Sequence, residues 1–376
     1  MKPQQQKTVA VVINTSWNIF NFRLGLLHAL QEKGYRIVCI APRDDYSEKL
    51  EGLGFEYREI RINNKGTNPI EDIRLVGDFY GLFKALRPDV LLHYTIKPNI
   101  YGSMAAGLLG IPVISNISGL GTVFLNDSLS SKIAKLLYRA ALRVPKRVFF
   151  QNAQDRDLFV HSKLVKAKKA GLLPGSGINT ETFKPKTAPG KAKGRLRFLF
   201  IARLVRDKGL YEYVEAARKI KKLFPEVECA ILGAYYPGNP TAISEAEMRE
   251  WEAEGIVTYL GTSDDVASVI AEADCVVLPS YREGLSRVLL EAAAMAKPIV
   301  TTDVPGCREV VDDGINGYLC RVKDAASLAE RMERIIGLGE EQRREMGAKG
   351  REKVVAEFDE RIVIDRYKEA IREFAV

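Results

Sequence analysis

The sequence predicts an α/β protein made of two doubly wound domains. Three observations predict it. Short apolar runs alternate with helix-length amphipathic stretches from residue 9 onward. The alternation breaks at 183–194, where the chain reads FKPKTAPGKAKG. A second alternation then starts at 196. Continuous apolar strands separated by helices require a parallel sheet covered on both faces. A chain of 376 residues accommodates two domains of ordinary size.

In the first half, residues 9–14, 35–41, 55–60, 90–93 and 113–117 read as strands. Residues 22–33, 45–53, 72–86 and 99–109 read as helices, the first of them stopped by Gly34. In the second half, strands fall at 196–201, 228–233, 257–260, 275–278 and 298–302, with a helix at 210–223 and others between the later strands. Residues 361–374 form a charged amphipathic helix. The expected domains are therefore 1–183 and 195–358, joined by a linker at 184–194. A C-terminal segment, 359–376, is expected to pack back on the first domain. Tandem domains of this type bind ligands in a cleft between the C-terminal strand ends of their sheets.

Composition narrows the function classes. Hydrophobic residues make up 46% and charged residues 28%, which excludes a disordered, collagen-like or coiled-coil protein. The apolar runs at 9–13, 198–202 and 275–278 are far shorter than the ~20 residues that span a bilayer. Residues 1–7 are polar and lead straight into a strand, so no secretory signal is expected. Five cysteines (Cys39, Cys229, Cys275, Cys307, Cys320) form an odd set without Cys-x-x-Cys spacing, and the three histidines (His28, His93, His161) are far apart. This argues against a disulfide framework and against a metal centre, and for a reducing, cytoplasmic compartment.

The net charge is +8, yet eleven Lys/Arg and only two acids lie between 128 and 169, so the basic excess is local and faces an anionic partner. Lys132, Lys135, Arg139 and Arg143 follow helical spacing, with Ile133, Leu136, Leu137, Ala140, Ala141 and Val144 as the opposing stripe. Such a helix fits docking on an anionic membrane surface. It also fits an ordinary domain helix with its apolar stripe turned inward. Nucleic acid is not expected, because no interleaved aromatics accompany the charge.

The most informative segment is PSYREGLSRVLLEAAAMAKP at 279–298. A strand ends in a Pro-Ser turn, and a loop then opens a helix near Arg287. Unpaired N–H groups and the dipole at a helix start favour an anion there. Gly284 permits close backbone approach. Glu283 and Glu291 supply carboxylates, which accept hydrogen bonds from sugar hydroxyls. This is the profile of a nucleotide-sugar site. The spacing alone also fits a surface Glu beside a capping Glu.

The run E283-G-L-S-R-V-L-L-E291 resembles the E-x7-E signature of retaining family 4 glycosyltransferases of the GT-B fold, two Rossmann-like domains facing across a cleft. Other pieces fall in the same order: I201-A-R203-L-V-R-D-K208-G209, L173-P-G-S-G-I-N179, Y259-L-G261 and A273-D274-C-V-V-L-P279-S280. The resemblance covers the C-terminal half almost end to end. The N-terminal half matches more loosely, through F20-N-F22-R23, K97-P-N-I-Y-G102 and S118-G-L-G121. These resemble the bacterial branch that adds sugars to polyprenyl-diphosphate-linked glycans, including the second sugar of N-linked glycan assembly.

The resemblance implies the following roles. Arg203 and Lys208 bind the donor diphosphate, with catalytic weight shared by Glu283, which holds donor sugar hydroxyls. Glu291 holds the ribose. Leu285, Ser286 and Arg287 offer backbone N–H groups, with Gly284 beside them, and Gly233 and Gly261 border the nucleobase. Asn14 and Ser16 stand in the turn after the first strand, where many members are glycine-rich. Arg23, His93, Lys97, Asn99, Ser118 and Gly119 fall on the acceptor side. The family's Val-His-Gly-like turn reads Ile117-Ser118-Gly119 here, and His93 is the stand-in considered, although a lone His at a strand end is more often structural.

The implied activity is retaining transfer of a hexose or N-acetylhexosamine, GalNAc or GlcNAc, from a UDP-sugar to a polyprenyl-diphosphate-linked saccharide. It would proceed without metal or resident cofactor, on the inner face of the cell membrane. The one Asp-x-Asp, Asp155-Arg-Asp157, reads as helix-start chemistry and not as a metal pair. No Gly-x-Gly-x-x-Gly follows the first strand and no P-loop occurs. A UDP-sugar epimerase on a similar scaffold would need acid–base groups in the cleft. A non-catalytic nucleotide-sugar binder would have no need of the intact Arg203, Lys208, Glu283 and Glu291 set.

Overall fold

In a computed structural model, residues 6–63, 68–120, 129–186 and 195–374 are described. The chain divides into two compact units, Met1–Ser176 with Glu360–Val376, and Gly177–Asp359.

The first unit is a seven-stranded sheet in the order β3-β2-β1-β4-β5-β6-β7. Its strands are β1 Thr8–Val12, β2 Arg36–Ala41, β3 Glu56–Glu59, β4 Val90–Tyr94, β5 Val113–Ile117, β6 Arg147–Phe150 and β7 Ala170–Leu172. All are parallel, with Val9 opposite Ile37 and Val12 opposite His93. The second unit holds β8 Arg197–Ile201, β9 Glu228–Leu232, β10 Thr258–Tyr259, β11 Cys275–Leu278, β12 Ile299–Thr302 and β13 Gly317–Cys320. These run parallel in the order β10-β9-β8-β11-β12-β13. Each sheet is thus doubly wound, as the apolar strand pattern requires. β6, β7 and β13 escaped the sequence pattern because they are only three or four residues long, with a glycine in β7 and β13, and neighbouring strands supply the pairing they lack alone.

Helix boundaries moved for local reasons. The first helix is Ser16–Gln31 rather than 22–33, because Thr15 adopts an extended conformation and its side chain accepts the Asn18 N–H (3.2 Å). The helix expected at 99–109 splits into a π-helical turn, Pro98–Gly102, and an α-helix, Ser103–Leu109.

The domain boundary also moved. Residues 177–183 belong to the second unit: the Ile178 N–H donates to the Phe358 carbonyl (2.9 Å), the Thr180 hydroxyl donates to Asp359 Oδ2 (2.6 Å), and Phe183 packs on the second core. A Pro/Lys-rich composition marks exposure, not where packing changes hands. Of the expected linker 184–194, residues 187–194 lie outside the described residues.

Alternation along β1 sends Val9, Val11 and Ile13 to one face of the first sheet, and Ala10 and Val12 to the other. The first face is covered by the C-terminal helix, Glu360–Phe374, through Val363, Ile364, Tyr367 and Ile371. At Gly25 a β-carbon would lie 2.6 Å from a Glu360 carboxylate oxygen, the movable end of that side chain. The Tyr367 ring packs edge-on to Phe149 (5.4 Å), and its hydroxyl accepts from Asn116 Nδ2 (3.0 Å). Tyr367→Ala is expected to lower stability by about 3–5 kcal/mol, as for other buried aromatics. Tyr367→Phe should cost about 1 kcal/mol, by stranding the Asn116 amide. Urea unfolding midpoints check both values.

Candidate active site

The expected donor residues gather at the C-terminal ends of β8 and β11, where the strand order of the second sheet reverses. After β8 the chain makes one 3₁₀ turn, Arg206–Lys208, closed by Gly209 at φ 76°. A β-carbon at Gly209 would lie 2.0 Å from the Pro279 carbonyl oxygen. Only glycine lets this turn sit on the loop after β11. Two hydrogen bonds lock the turn and loop together: the Tyr281 N–H and the Ser280 hydroxyl both donate to the Asp207 carbonyl (2.9 and 3.3 Å). Lys208 is thereby brought to the Glu283 carboxylate, and the two form an ion pair with side chains only 20% and 13% exposed.

The other side of the Glu283 loop rests on Pro305–Gly306. The Glu283 N–H donates to the Pro305 carbonyl (3.0 Å), and the Ser286 N–H donates to the Gly306 carbonyl (2.8 Å). Gly306, at φ 81°, leaves no space for a side chain, since its β-carbon would lie 2.5 Å from the Glu283 backbone. Ser286 starts the helix Arg287–Ala294 without capping it, so no serine hydroxyl competes for its first-turn N–H groups. Gly284 and Leu285, both half-buried, complete the loop before it.

One turn in, Glu291 is buried and accepts from Arg287 Nε (3.0 Å), while Arg287 Nη1 donates to the Gly177 carbonyl (3.3 Å). Burial raises the Glu291 pKa above its ordinary value, and the Arg287 charge opposes the rise. The Arg287 side chain is thus turned to Glu291, and its expected role falls to its backbone.

Arg203 is exposed, its guanidinium 4.7 Å from the centre of the Tyr236 ring. Gly233 sits against Ala202, whose carbonyl oxygen would be 1.7 Å from a β-carbon at 233. The Gly233 N–H donates to the Gly261 carbonyl (2.8 Å), and its carbonyl accepts from the Tyr259 hydroxyl (2.8 Å). Gly233 and Gly261 therefore adjoin the end of β8 as one backbone patch. Tyr236 and Pro305–Gly306 were not singled out in the sequence, although Pro-Gly after a strand is a readable turn signal.

In the first unit the residues divide. A cavity of about 260 Å³ opens at the C-terminal ends of β1, β4 and β5, lined by Asn14, Thr95, Lys97, Asn99, Ser118 and Tyr138 among others. Gly119 lines it too. Asn14, expected on the donor side, stands here with the acceptor-side residues. Three expectations are corrected. Ser16 is fully buried, with its N–H and hydroxyl both donated to Asp44, because it opens the first helix from inside. Arg23 is buried over the Tyr94 ring (4.4 Å). His93 is fully buried, with Nδ1 on the Ser103 hydroxyl (3.2 Å) and its ring stacked on Phe83 (5.9 Å). Burial pulls its pKa down to about 3, so it stays neutral and does not replace the family's histidine. Lys97 reaches the cavity with its ammonium on Asp72 (2.8 Å). Asp155 is a buried first-turn residue whose N–H is capped by Asn152 (2.8 Å).

Two sequence families match the chain. "Glycosyl transferases group 1" covers residues 182–353, and "Glycosyl transferase 4-like" covers residues 8–152. The chain belongs to the GT-B glycosyltransferases. The enzyme is 26% identical to a Campylobacter jejuni N,N'-diacetylbacillosaminyl-diphospho-undecaprenol alpha-1,3-N-acetylgalactosaminyltransferase, over 93% of this chain and 94% of the relative. It is 24% identical to an Escherichia coli UDP-Gal:alpha-D-GlcNAc-diphosphoundecaprenol alpha-1,3-galactosyltransferase, over 71% of each. In fold it is similar to Anabaena HepE, solved in complex with UDP and glucose, at a TM-score of 0.78 and 19% identity over 98% of this chain and 99% of that one.

The glycosyltransferase's basic helix, Leu129–Ala141, does not turn its whole apolar stripe inward. Tyr138, Ala141 and Leu142 are buried, while Ile133 and Leu136 are 51% and 66% exposed beside Lys132. Among the described residues no helix is long and apolar enough to cross a membrane.

Glu291 sets a pH dependence. Its folded pKa lies above the unfolded value near 4.5, so the native state takes up the proton first as pH falls. Its ionised form costs stability at neutral pH, and that cost disappears as pH drops through the folded pKa. Urea unfolding should therefore show wild type gaining on Glu291→Gln between pH 7 and pH 4.5. A pH-independent difference would contradict the burial of the carboxyl.

Proposed function

We propose that the enzyme moves a hexose or N-acetylhexosamine, GalNAc or GlcNAc, from a UDP-sugar to a polyprenyl-diphosphate-linked saccharide, with retention at the anomeric carbon and without a metal. The second unit takes the donor and the first takes the acceptor. The observation that carries this reading is the Lys208–Glu283 pair, held beside an uncapped helix start in a fixed loop. The names of both bacterial relatives support the acceptor class, and that of the Escherichia coli relative supports the UDP donor.

The chemistry needs charge in the right place. As the bond between the anomeric carbon and the diphosphate oxygen breaks, negative charge builds on the leaving UDP. Arg203, Lys208 and the N–H groups at Leu285–Arg287 receive it, which makes a metal unnecessary. Glu283 accepts hydroxyls of the donor sugar, and Glu291 accepts those of the ribose. The acceptor hydroxyl oxygen bonds to the anomeric carbon on the face UDP leaves, and its proton passes to the departing phosphate oxygen. Lys208→Ala and Glu283→Ala are each expected to cut turnover by about tenfold or more. Because each strands a partly buried charge, far-UV and thermal checks accompany the rate. A folded variant at full rate overturns the site. UDP release across a donor panel names the sugar. Activity persisting in excess EDTA and a product with the donor's anomeric configuration by NMR check the rest.

The enzyme sits on the inner, anionic membrane surface through Ile133, Leu136 and Lys132. Cations near headgroups contribute roughly 1 kcal/mol each, and the two aliphatic side chains add apolar burial. Ile133→Asp with Leu136→Asp should abolish co-sedimentation with phosphatidylglycerol vesicles while donor hydrolysis in detergent persists. Unchanged sedimentation removes this helix as the contact.

A further inference from the structure

The cavity at the ends of β1, β4 and β5 has an unusual backbone. Thr95, a β-branched residue, is held at φ 63°, in the left-handed region. The chain then forms the π-helical turn Pro98–Gly102, with the Asn99 N–H donating to the Thr95 carbonyl (3.1 Å). Strained positions and π turns persist where function holds them. Their effect here is to set Asn99, 1% exposed, in the cavity wall.

The amide orientation of Asn99 is determined by its neighbour. Nδ2 donates to the Asn116 carbonyl (2.8 Å), which only a donor satisfies. Oδ1 is therefore the remaining polar atom, and it is buried with no partner. An orphaned buried acceptor is costly unless a donor arrives.

The cavity's charge is already cancelled. Among the described residues Lys97 is its one ionic lining group, and Asp72 holds that ammonium at 2.8 Å while its other oxygen accepts the Tyr101 hydroxyl (2.7 Å). An anion entering the cavity would displace a largely buried ion pair, whose members are 16% and 11% exposed. A volume of about 260 Å³ lies just under the roughly 300–1,000 Å³ of drug-sized ligand sites, which suits one sugar ring.

We infer that this cavity takes a single uncharged sugar of the acceptor, that Asn99 Oδ1 accepts a hydroxyl or acetamido N–H from it, and that the acceptor's diphosphate binds outside. This rests on the reading of the enzyme as a transferase to lipid-linked saccharides.

Two measurements on the full chain test it. Asn99→Ala should raise KM for undecaprenyl-diphosphate-linked N-acetylglucosamine about tenfold, with donor KM and donor-only hydrolysis within about twofold of wild type. The second uses Ser118→Cys. Ser118 is exposed at the cavity and all five native cysteines are buried, so the introduced thiol is the reactive one. Free N-acetylglucosamine should slow its alkylation by maleimide, and inorganic pyrophosphate should not. An unmoved acceptor KM in folded Asn99→Ala overturns the inference, as does protection by pyrophosphate in place of the sugar. If the wild type transfers to no lipid-linked saccharide yet the sugar still protects the thiol, the acceptor class fails and the cavity assignment stands.

Discussion

The Lys208–Glu283 ion pair is the constraint on which the proposed donor side depends. Two opposite charges in a mostly buried setting hold together only if the backbone beneath each is fixed. That fixing comes from Gly209 against the Pro279 carbonyl and from the Asp207 carbonyl, which collects two donors from the facing loop. The partners are 75 residues apart in the chain, and their meeting is a product of sheet topology. β8 and β11 are neighbours at the point where strand order reverses, so the segments leaving them diverge and open a crevice.

The first sheet repeats that topology with different chemistry. β1 and β4 flank its reversal, and the cavity there is lined by Asn14, Thr95, Lys97 and Asn99 among others. The proposed donor side carries exposed Arg203 and the Lys208 ammonium, the charges that the proposed leaving diphosphate needs. In the cavity of the first unit the one cation among the described lining residues is neutralised by Asp72, in keeping with the uncharged sugar inferred for it. Two related sheets thus present complementary sites at equivalent places.

Much of the arrangement proposed as the donor site was legible because its residues lie close together in sequence. Glu283 through Glu291 span one loop and one helix, so local spacing places both carboxylates. Gly209 and Gly233 were readable as glycines, although the carbonyls that require them, Pro279 and Ala202, were not. On the first unit, residue type misled. Ser16, Arg23 and His93 are polar residues of kinds that often bind ligands, and all three are consumed inside the fold by Asp44, Tyr94 and Ser103 with Phe83. Burial depends on what packs above a residue, and a local pattern does not contain that. The same holds for the basic helix, where spacing defined an apolar stripe but packing buried only Tyr138, Ala141 and Leu142 and left Ile133 and Leu136 outside.

By itself, then, the sequence determined the doubly wound class, through periodicity, and carried the motifs whose resemblance pointed to a glycosyltransferase family. Both signals lie in residues within a few turns of one another. Tertiary structure alone decided that residues 177–183 join the second unit. It also decided that Lys97 is neutralised and that Asn99 keeps an unpartnered oxygen. Those outcomes rest on contacts between segments distant in the chain, and such contacts come into being only when the sheets close and water leaves the groups between them.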